Sequence, residues 1–309
     1  MDAETKLLSH SLVVEIAGSV GYRNSPFVQR LVWIFFRPVT DRLAEIGVQF
    51  DRDVTQHGFS TAMGNALQAF IRKLAVRGQA QVPTTGPLLV LSNHPGTYDS
   101  LIISSALRRD DLCIISGDIP FLKNLPRAHS HFFFTSENDQ NVRTVAARQA
   151  IRHLQAGGAL LLYGFGHIDP DPAVYCDAPS VIEQWSPSID LFLKVVPETR
   201  ALITITSHVV APQWRHSLLY HLRRTPLDRR RLVEFGQVMT QLLFPGTFLQ
   251  SPFISFAPPV DSGILRKERP SGPLLPAVIE RAKKVLNDHI EWVNSQVKSP
   301  PLKLKNNKP

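Results

Sequence analysis

From about Leu74 onward the chain changes character. Short apolar runs at 74–79, 88–92, 112–117, 131–135, 159–165, 201–207 and 253–258 alternate with longer stretches of helical periodicity. The helical stretches fall at 98–108, 141–156, 181–195, 213–223, 226–243 and 273–297, with another at 61–73. Continuous apolar runs of this length suit strands buried on both faces. Strands separated by helices are joined by crossovers, which make neighbouring strands parallel and cover both faces of the sheet. The expected fold class is therefore α/β, a mixed, largely parallel sheet flanked by helices. Hydrophobic residues make up 43% of the 309, enough to fill such a core. Gly157-Gly158 follows Leu154-Gln155-Ala156 and is a helix stop before the run Ala159-Leu160-Leu161-Leu162. No internal repeat is visible.

Three segments follow from this pattern: an N-terminal helical segment at 1–73, the α/β domain at 74–260, and a C-terminal helix and tail at 261–309. The stretch 27–48 has helical periodicity interrupted at Pro38, a residue that kinks or ends helices. Phe27, Leu31, Ile34 and Phe35 form one apolar face, with Arg30 and Arg37 beside it. Amphipathicity alone does not say whether such a face meets a protein core or a membrane surface. The opening MDAETKLLSHSL is acidic and lacks the long apolar core of a secretory signal. No run approaches the ~18 apolar residues of a membrane span. Cys113 lies in an apolar run, and two cysteines so placed with Cys176 argue for neither a disulfide framework nor a zinc site. The tail SPPLKLKNNKP is rich in Pro and Lys and is expected to be disordered or surface-bound.

The candidate chemistry sits at the end of the run Leu88-Leu89-Val90-Leu91, in SNHPGTYDS, residues 92–100. A strand, a turn and a helix start is where α/β proteins place their ligands. A neutral His94 imidazole can take a proton from an alcohol as the alcohol attacks a carbonyl. A carboxylate, Asp99, on the other ring nitrogen fixes the tautomer and stabilises the imidazolium. The bland reading is a strand-end histidine and an acid in the first turn of a helix. The hydrolase elbow G-x-S-x-G and the P-loop are both missing from the sequence. The nucleophile would then be the substrate's own hydroxyl or amine.

This stretch resembles the first motif, N-H-x4-D, of the glycerophosphate and lysophospholipid acyltransferases. The segment VRTVAARQAIRHLQAGGALLLYGFGHIDPDPAV resembles the same family's helix, double glycine, strand and loop. The resemblance runs from about Leu74 to about Val210 and includes the order of the parts. It implies an acyltransferase-type domain with His94 as general base and Asp99 as its orienting partner. It further implies substrate contacts from Asn93, Gly96, Thr97 and Tyr98, and from Phe165, Gly166 and His167. The co-substrate would be acyl-coenzyme A or an acylated carrier protein, the acceptor a lipid, and no cofactor or metal is implied. The oxyanion would be met by backbone N–H groups near Gly96 or Gly166, and an apolar groove would hold the acyl chain.

The sequence departs from the family in three places. An arginine that holds the acceptor's phosphate commonly follows the strand equivalent to 131–135, where this chain has Ser136 and Glu137. Arg143 lies nearby at a helix start, several residues later, and reads either as a substitute or as an ordinary surface arginine. The third motif, usually Phe-Pro-Glu-Gly-Thr, is Tyr163-Gly164-Phe165-Gly166-His167, and phenylalanine cannot accept a hydrogen bond as glutamate does. The strand 202–205 lacks the proline of the fourth motif. Losing an arginine and an acid together turns the expectation away from a phosphorylated glycerol and toward another lipid acceptor. A non-catalytic lipid-binding relative and an acyl thioesterase stay open as alternatives. Asp169-Pro170-Asp171 reads as a turn, and His129 with His131 lacks a third metal ligand. The excess of 34 Lys and Arg over 26 acids, densest in HLRRTPLDRRRL at 221–232, suits anionic headgroups or the donor's phosphates. No nucleic-acid signature accompanies it. The expected location is peripheral, on the cytoplasmic face of a membrane.

Overall fold

The computed structural model describes residues 2–19, 21–221 and 224–298. The Pro- and Lys-rich tail at 299–309, and Leu222 and Arg223 of the basic stretch, lie outside the described residues. In chain order the elements are helices α1 (Ala3–Ser19), α2 (Pro26–His57) and α3 (Phe59–Leu67), then strands β1 (Ala75–Arg77) and β2 (Leu88–Ser92). Next come α4 (Asp99–Leu107), β3 (Leu112–Gly117), α5 (Pro120–Lys123), β4 (Phe132–Thr135), α6 (Gln140–Gln155) and β5 (Ala159–Tyr163). There follow α7 (Ala178–Ile182), α8 (Ser188–Val195), β6 (Arg200–Ser207), α9 (Leu218–His221) and α10 (Pro226–Leu243). The order ends with β7 (Phe253–Phe256), β8 (Val260–Asp261), α11 (Ser262–Glu268) and α12 (Leu275–Lys298).

The strands form one sheet in the order β1-β7-β6-β2-β5-β3-β4, with β8 paired to β6. β2 is central, parallel to β6 on one side and to β5 on the other. β3 is parallel to β5 and to β4. β7 and β8 pair antiparallel with β6, and β1 runs parallel to β7, so the sheet is mixed and largely parallel, as the alternation of runs predicts. Successive residues of β2 point to opposite faces and all are buried: Leu88 and Val90 join one core, Leu89 and Leu91 the other. Helices α2, α3 and α4 supply the first core, and α6, α7, α8 and α12 the second. Each buried Leu or Val stabilises by roughly 1.5–3 kcal/mol, which is why the run carries no polar residue before Ser92.

Several element boundaries differ from the sequence expectation. α2 runs straight through Pro38, because α1 packs along it and Val13, Ala17 and Val32 bury a seam between the two. The helix expected at 61–73 is shifted to Phe59–Leu67. The helix expected at 181–195 is two short helices, broken where Trp185-Ser186-Pro187 crosses under Gly164. The helix expected at 213–223 is a 3-10 turn, Pro212–His216, followed by α9. His129 and His131 stand in a 3-10 turn before β4 rather than on its face, and His131 stacks on Phe59 at 3.9 Å. The N-terminal helices are tied to the sheet domain by Asp51 of α2. Its carboxylate, 2% exposed, accepts the N–H groups of Arg127 and Ala128 at 2.9 Å and the Arg127 guanidinium at 2.9 Å.

Candidate active site

β2 ends in the middle of the sheet, where the parallel strands leave a crevice beyond their carboxyl ends. Asn93 continues the strand pairing with its side chain. Its Nδ2 donates to the Thr206 carbonyl at 2.9 Å and its Oδ1 accepts the Thr206 N–H at 2.9 Å. His94 is gripped through its backbone by Asp169, whose Oδ2 accepts the His94 N–H at 2.7 Å and whose N–H donates to the His94 carbonyl at 2.7 Å. The turn at Pro95-Gly96 then brings the chain back so that Asp99 opens α4.

The two motif side chains meet. His94 Nδ1 lies 2.7 Å from Asp99 Oδ2, with the carboxylate fully buried and the His94 side chain 26% exposed. The second Asp99 oxygen accepts the Tyr163 hydroxyl at 2.6 Å. The Tyr163 ring also stacks on the imidazole, with centroids 4.2 Å apart. With Nδ1 engaged, Nε2 is the ring nitrogen left for a substrate proton. Burial alone would lower the His94 pKa, but the charge and hydrogen bond of Asp99, then the charges of Glu234 and Asp169, outweigh it and raise it to about 9. Asp169 and Glu234 are themselves pushed up to about 7 by burial.

The other expected contacts are distributed around this pair. Gly96 is required, since a Cβ there would stand 2.7 Å from Val209 Cγ1. Its N–H points at Asp99 Oδ2 at 3.3 Å, and the Gly166 N–H closes a turn onto the Tyr163 carbonyl at 3.2 Å. Both N–H groups therefore face partners within the chain. Thr97 is exposed beside His94, whereas Tyr98 is buried, its hydroxyl donating to the Val209 carbonyl and accepting from Gln237 at 3.0 Å. Phe165 packs partly into the second core and meets His167 edge-on. His167 Nδ1 lies 3.3 Å from Glu137 Oε1 and 3.4 Å from Arg231 Nη2. Arg143 is exposed and donates to the Glu137 carbonyl at 3.1 Å, so it reaches the His167 loop only through Glu137. Gly164 leaves room for Trp185, whose indole would be 2.2 Å from a Cβ there.

Four residues that the motif reading passed over complete the surroundings. Tyr163 reaches Asp99 because the parallel register sets it opposite Ser92. Asp169 and Asp171 stand in the segment read as a turn. Asp171, fully buried, accepts the N–H groups of His208, Val209 and Val210 at 3.1, 2.8 and 2.9 Å, and so fixes the loop that packs on Gly96. Glu234 belongs to α10 and is 5% exposed. The spacing of Glu234, Gln237 and Gln241, all buried on one face of α10, is the one sequence signal that pointed there. A cavity of about 10 Å³, space for one water, lies behind Asp169 and Asn93. A larger one of about 420 Å³ lies elsewhere, lined by Arg77, Phe256, Arg281, Lys284 and His289 among others. Among the described residues no group of three or more His, Cys, Asp and Glu could hold a metal ion.

The structure thus brings a His-Asp pair to the carboxyl end of a central parallel strand. Residues 73–170, less than half of the chain, match the family model described as Acyltransferase. The chain is also similar to the solved 1-acyl-sn-glycerophosphate (LPA) acyltransferase PlsC from Thermotoga maritima. The likeness has 14% identity and a TM-score of 0.40, and covers 95% of this chain and 97% of that one. No curated protein sequence matches the chain.

Proposed function

We propose that the protein transfers a fatty acyl group from a thioester, acyl-coenzyme A or an acylated carrier protein, to a hydroxyl or amine of a lipid acceptor. The observation that carries this reading is the 2.7 Å His94–Asp99 pair inside the acyltransferase segment. His94 Nε2 takes the proton from the acceptor's O–H or N–H as that atom attacks the thioester carbonyl carbon. Asp99, held by Tyr163, keeps the proton on Nδ1 and stabilises the imidazolium. The tetrahedral intermediate then expels the thiolate, and the imidazolium protonates the sulfur. Ester or amide and free thiol leave, and His94 is neutral again.

The same reading places the protein on a membrane surface, at its cytoplasmic face. No helix among the described residues is long and apolar enough to cross a membrane. The first turns of α2 nevertheless leave Phe27 71%, Leu31 38%, Trp33 45%, Ile34 53% and Phe35 73% exposed. Arg30 and Arg37 flank them, Arg37 over the Trp33 ring. Aromatics inward with arginines at headgroup level is the arrangement of an interfacial helix. Arg231, at the start of α10 and beside His167, suits the donor's phosphates.

The test is thiol release from palmitoyl-coenzyme A and from a palmitoylated carrier protein, with and without a panel of lysolipid acceptors. Acceptor-dependent release that falls about a hundredfold or more in His94→Ala is expected, in line with the loss of a general base. Release that needs no acceptor would make the protein a thioesterase. No release by the folded protein with either donor would make it a non-catalytic relative.

A further inference from the structure

Glu234 is a buried carboxylate that the His-Asp mechanism does not use. It is 5% exposed, the hydroxyl and N–H of Thr97 face its carboxylate, and among the described residues its Oε1 has no hydrogen-bond partner. It is packed against the turn between the two motif residues: Oε1 lies 3.6 Å from where a Gly96 Cβ would be. That turn is joined to Asp99 through the Gly96 N–H at 3.3 Å, and Asp99 to His94 at 2.7 Å. An unpaired buried polar atom is costly, and more so when charged. The nearest cations of its own helix do not relieve it, since Arg230 pairs with Asp177 at 3.3 Å and Arg231 faces His167.

We propose that Glu234 Oε1 is the acceptor-binding carboxylate, taking a hydrogen bond from a hydroxyl or ammonium next to the group that is acylated. This rests on the acyl-transfer reading above and narrows its acceptor to head groups carrying a second donor and no phosphate at that position. The third-motif position that would supply such an acid is Phe165, which cannot accept a hydrogen bond. α10 brings a carboxylate to the turn at Gly96 from outside the segment 73–170. A phosphate in this place would set two anions together in a poorly solvated site, whereas a hydroxyl or ammonium satisfies the orphan oxygen. The exposed Thr97, beside both Glu234 and His94, marks the side from which an acceptor enters.

The test compares wild type with Glu234→Gln on three acceptors of equal chain length: a monoacylglycerol, a long-chain amino alcohol and a lysophosphatidate. The readout is the ratio of kcat/KM for each of the first two to that for the phosphate. Glu234→Gln should lower that ratio about tenfold or more, chiefly through the acceptor KM, with the thioester KM unchanged. Which of the first two loses more tells hydroxyl from amine recognition. An unchanged ratio overturns the proposal, including the case where all acceptors fall together, as they would for a purely structural glutamate. If wild type acylates none of the three, the acyl-transfer reading fails for these acceptors, and equilibrium binding of the same lipids to both proteins decides the inference separately. The same loss of preference supports it, and equal preference overturns it.

Discussion

His94 carries the sharpest consequence at the scale of a residue. Three carboxylates, Asp99, Glu234 and Asp169, act on one imidazole and hold its pKa near 9 in spite of burial. The proposed general base works only when neutral, and a pKa near 9 keeps most of the free protein in the other state at neutral pH. The log of kcat/KM should therefore climb with pH through the neutral range and level off above about 9. Removing the Glu234 charge in Glu234→Gln should bring that limb to lower pH, because one of the charges favouring the imidazolium is gone. A profile flat between pH 7 and 9 would show that the ring is neutral in the working protein. The same surroundings show why one half of this site was legible in the sequence and the other was not. His94 and Asp99 lie five positions apart on a single turn, so local spacing reveals them. Tyr163 reaches Asp99 only through the β2–β5 register, and Glu234 only through the packing of α10. In a local window Tyr163 reads as nothing more than an altered third motif, and Glu234 shows only through its spacing with Gln237 and Gln241.

Among the elements, α2 is the one whose sequence pattern and structural role diverge most. Its apolar residues surround the helix in the first turns. Val28, Val32 and Phe36 face α1, while Phe27, Leu31, Ile34 and Phe35 face outward. Periodicity shows that the helix is amphipathic, but which apolar side is covered depends on α1, whose docking the sequence does not announce. Pro38 misleads for a related reason. Packing on α1 and the buried residues Val39, Thr40 and Ala44 hold the helix together where the missing N–H would end it. By contrast β2, β3, β5 and β6 are read correctly, since only strands buried on both faces carry such unbroken apolar runs. If the outer face of α2 lies in a membrane surface, Phe27→Ser with Phe35→Ser should weaken binding to anionic vesicles about tenfold or more per residue. That follows from roughly 1.5–3 kcal/mol for each buried phenylalanine. Both side chains are more than two-thirds exposed, at 71% and 73%, so the melting temperature should not move. Equal sedimentation of wild type and double variant with vesicles would take the membrane away from this face.

Over the whole molecule, the site is assembled from segments far apart in the chain, and its geometry depends on how the last helices close onto the sheet. α10 delivers Glu234 and Gln237 to the motif turn, and Asp171 fastens the loop after β6 beneath it. On the other face α12 is fastened by His289. This ring is 1% exposed and lies 2.8 Å from the Ser207 hydroxyl of β6 and 2.8 Å from the Ser255 hydroxyl of β7. Burial first, then the charges of His208 and Arg77, lower its pKa from 6.5 to about 3. The two histidines thus bound the pH range of the fold from opposite sides. His94, with its pKa raised to about 9, contributes stability that is complete below 6.5 and is lost as the pH rises through 9. For His289 the unfolded chain binds the extra proton. Its contribution is complete above 6.5 and is lost as the pH falls toward 3, by several kcal/mol at about 1.4 kcal/mol per unit. Urea unfolding at pH 7.5, 6 and 5 should show wild type losing stability from pH 6 to 5, below the 6.5 at which the unfolded histidine takes up its proton. His289→Gln should be less stable at pH 7.5 yet lose much less on acidification, because glutamine has no proton to gain. Parallel losses in the two proteins would mean that acid opens the fold elsewhere, and that α12 does not come away from the sheet through His289.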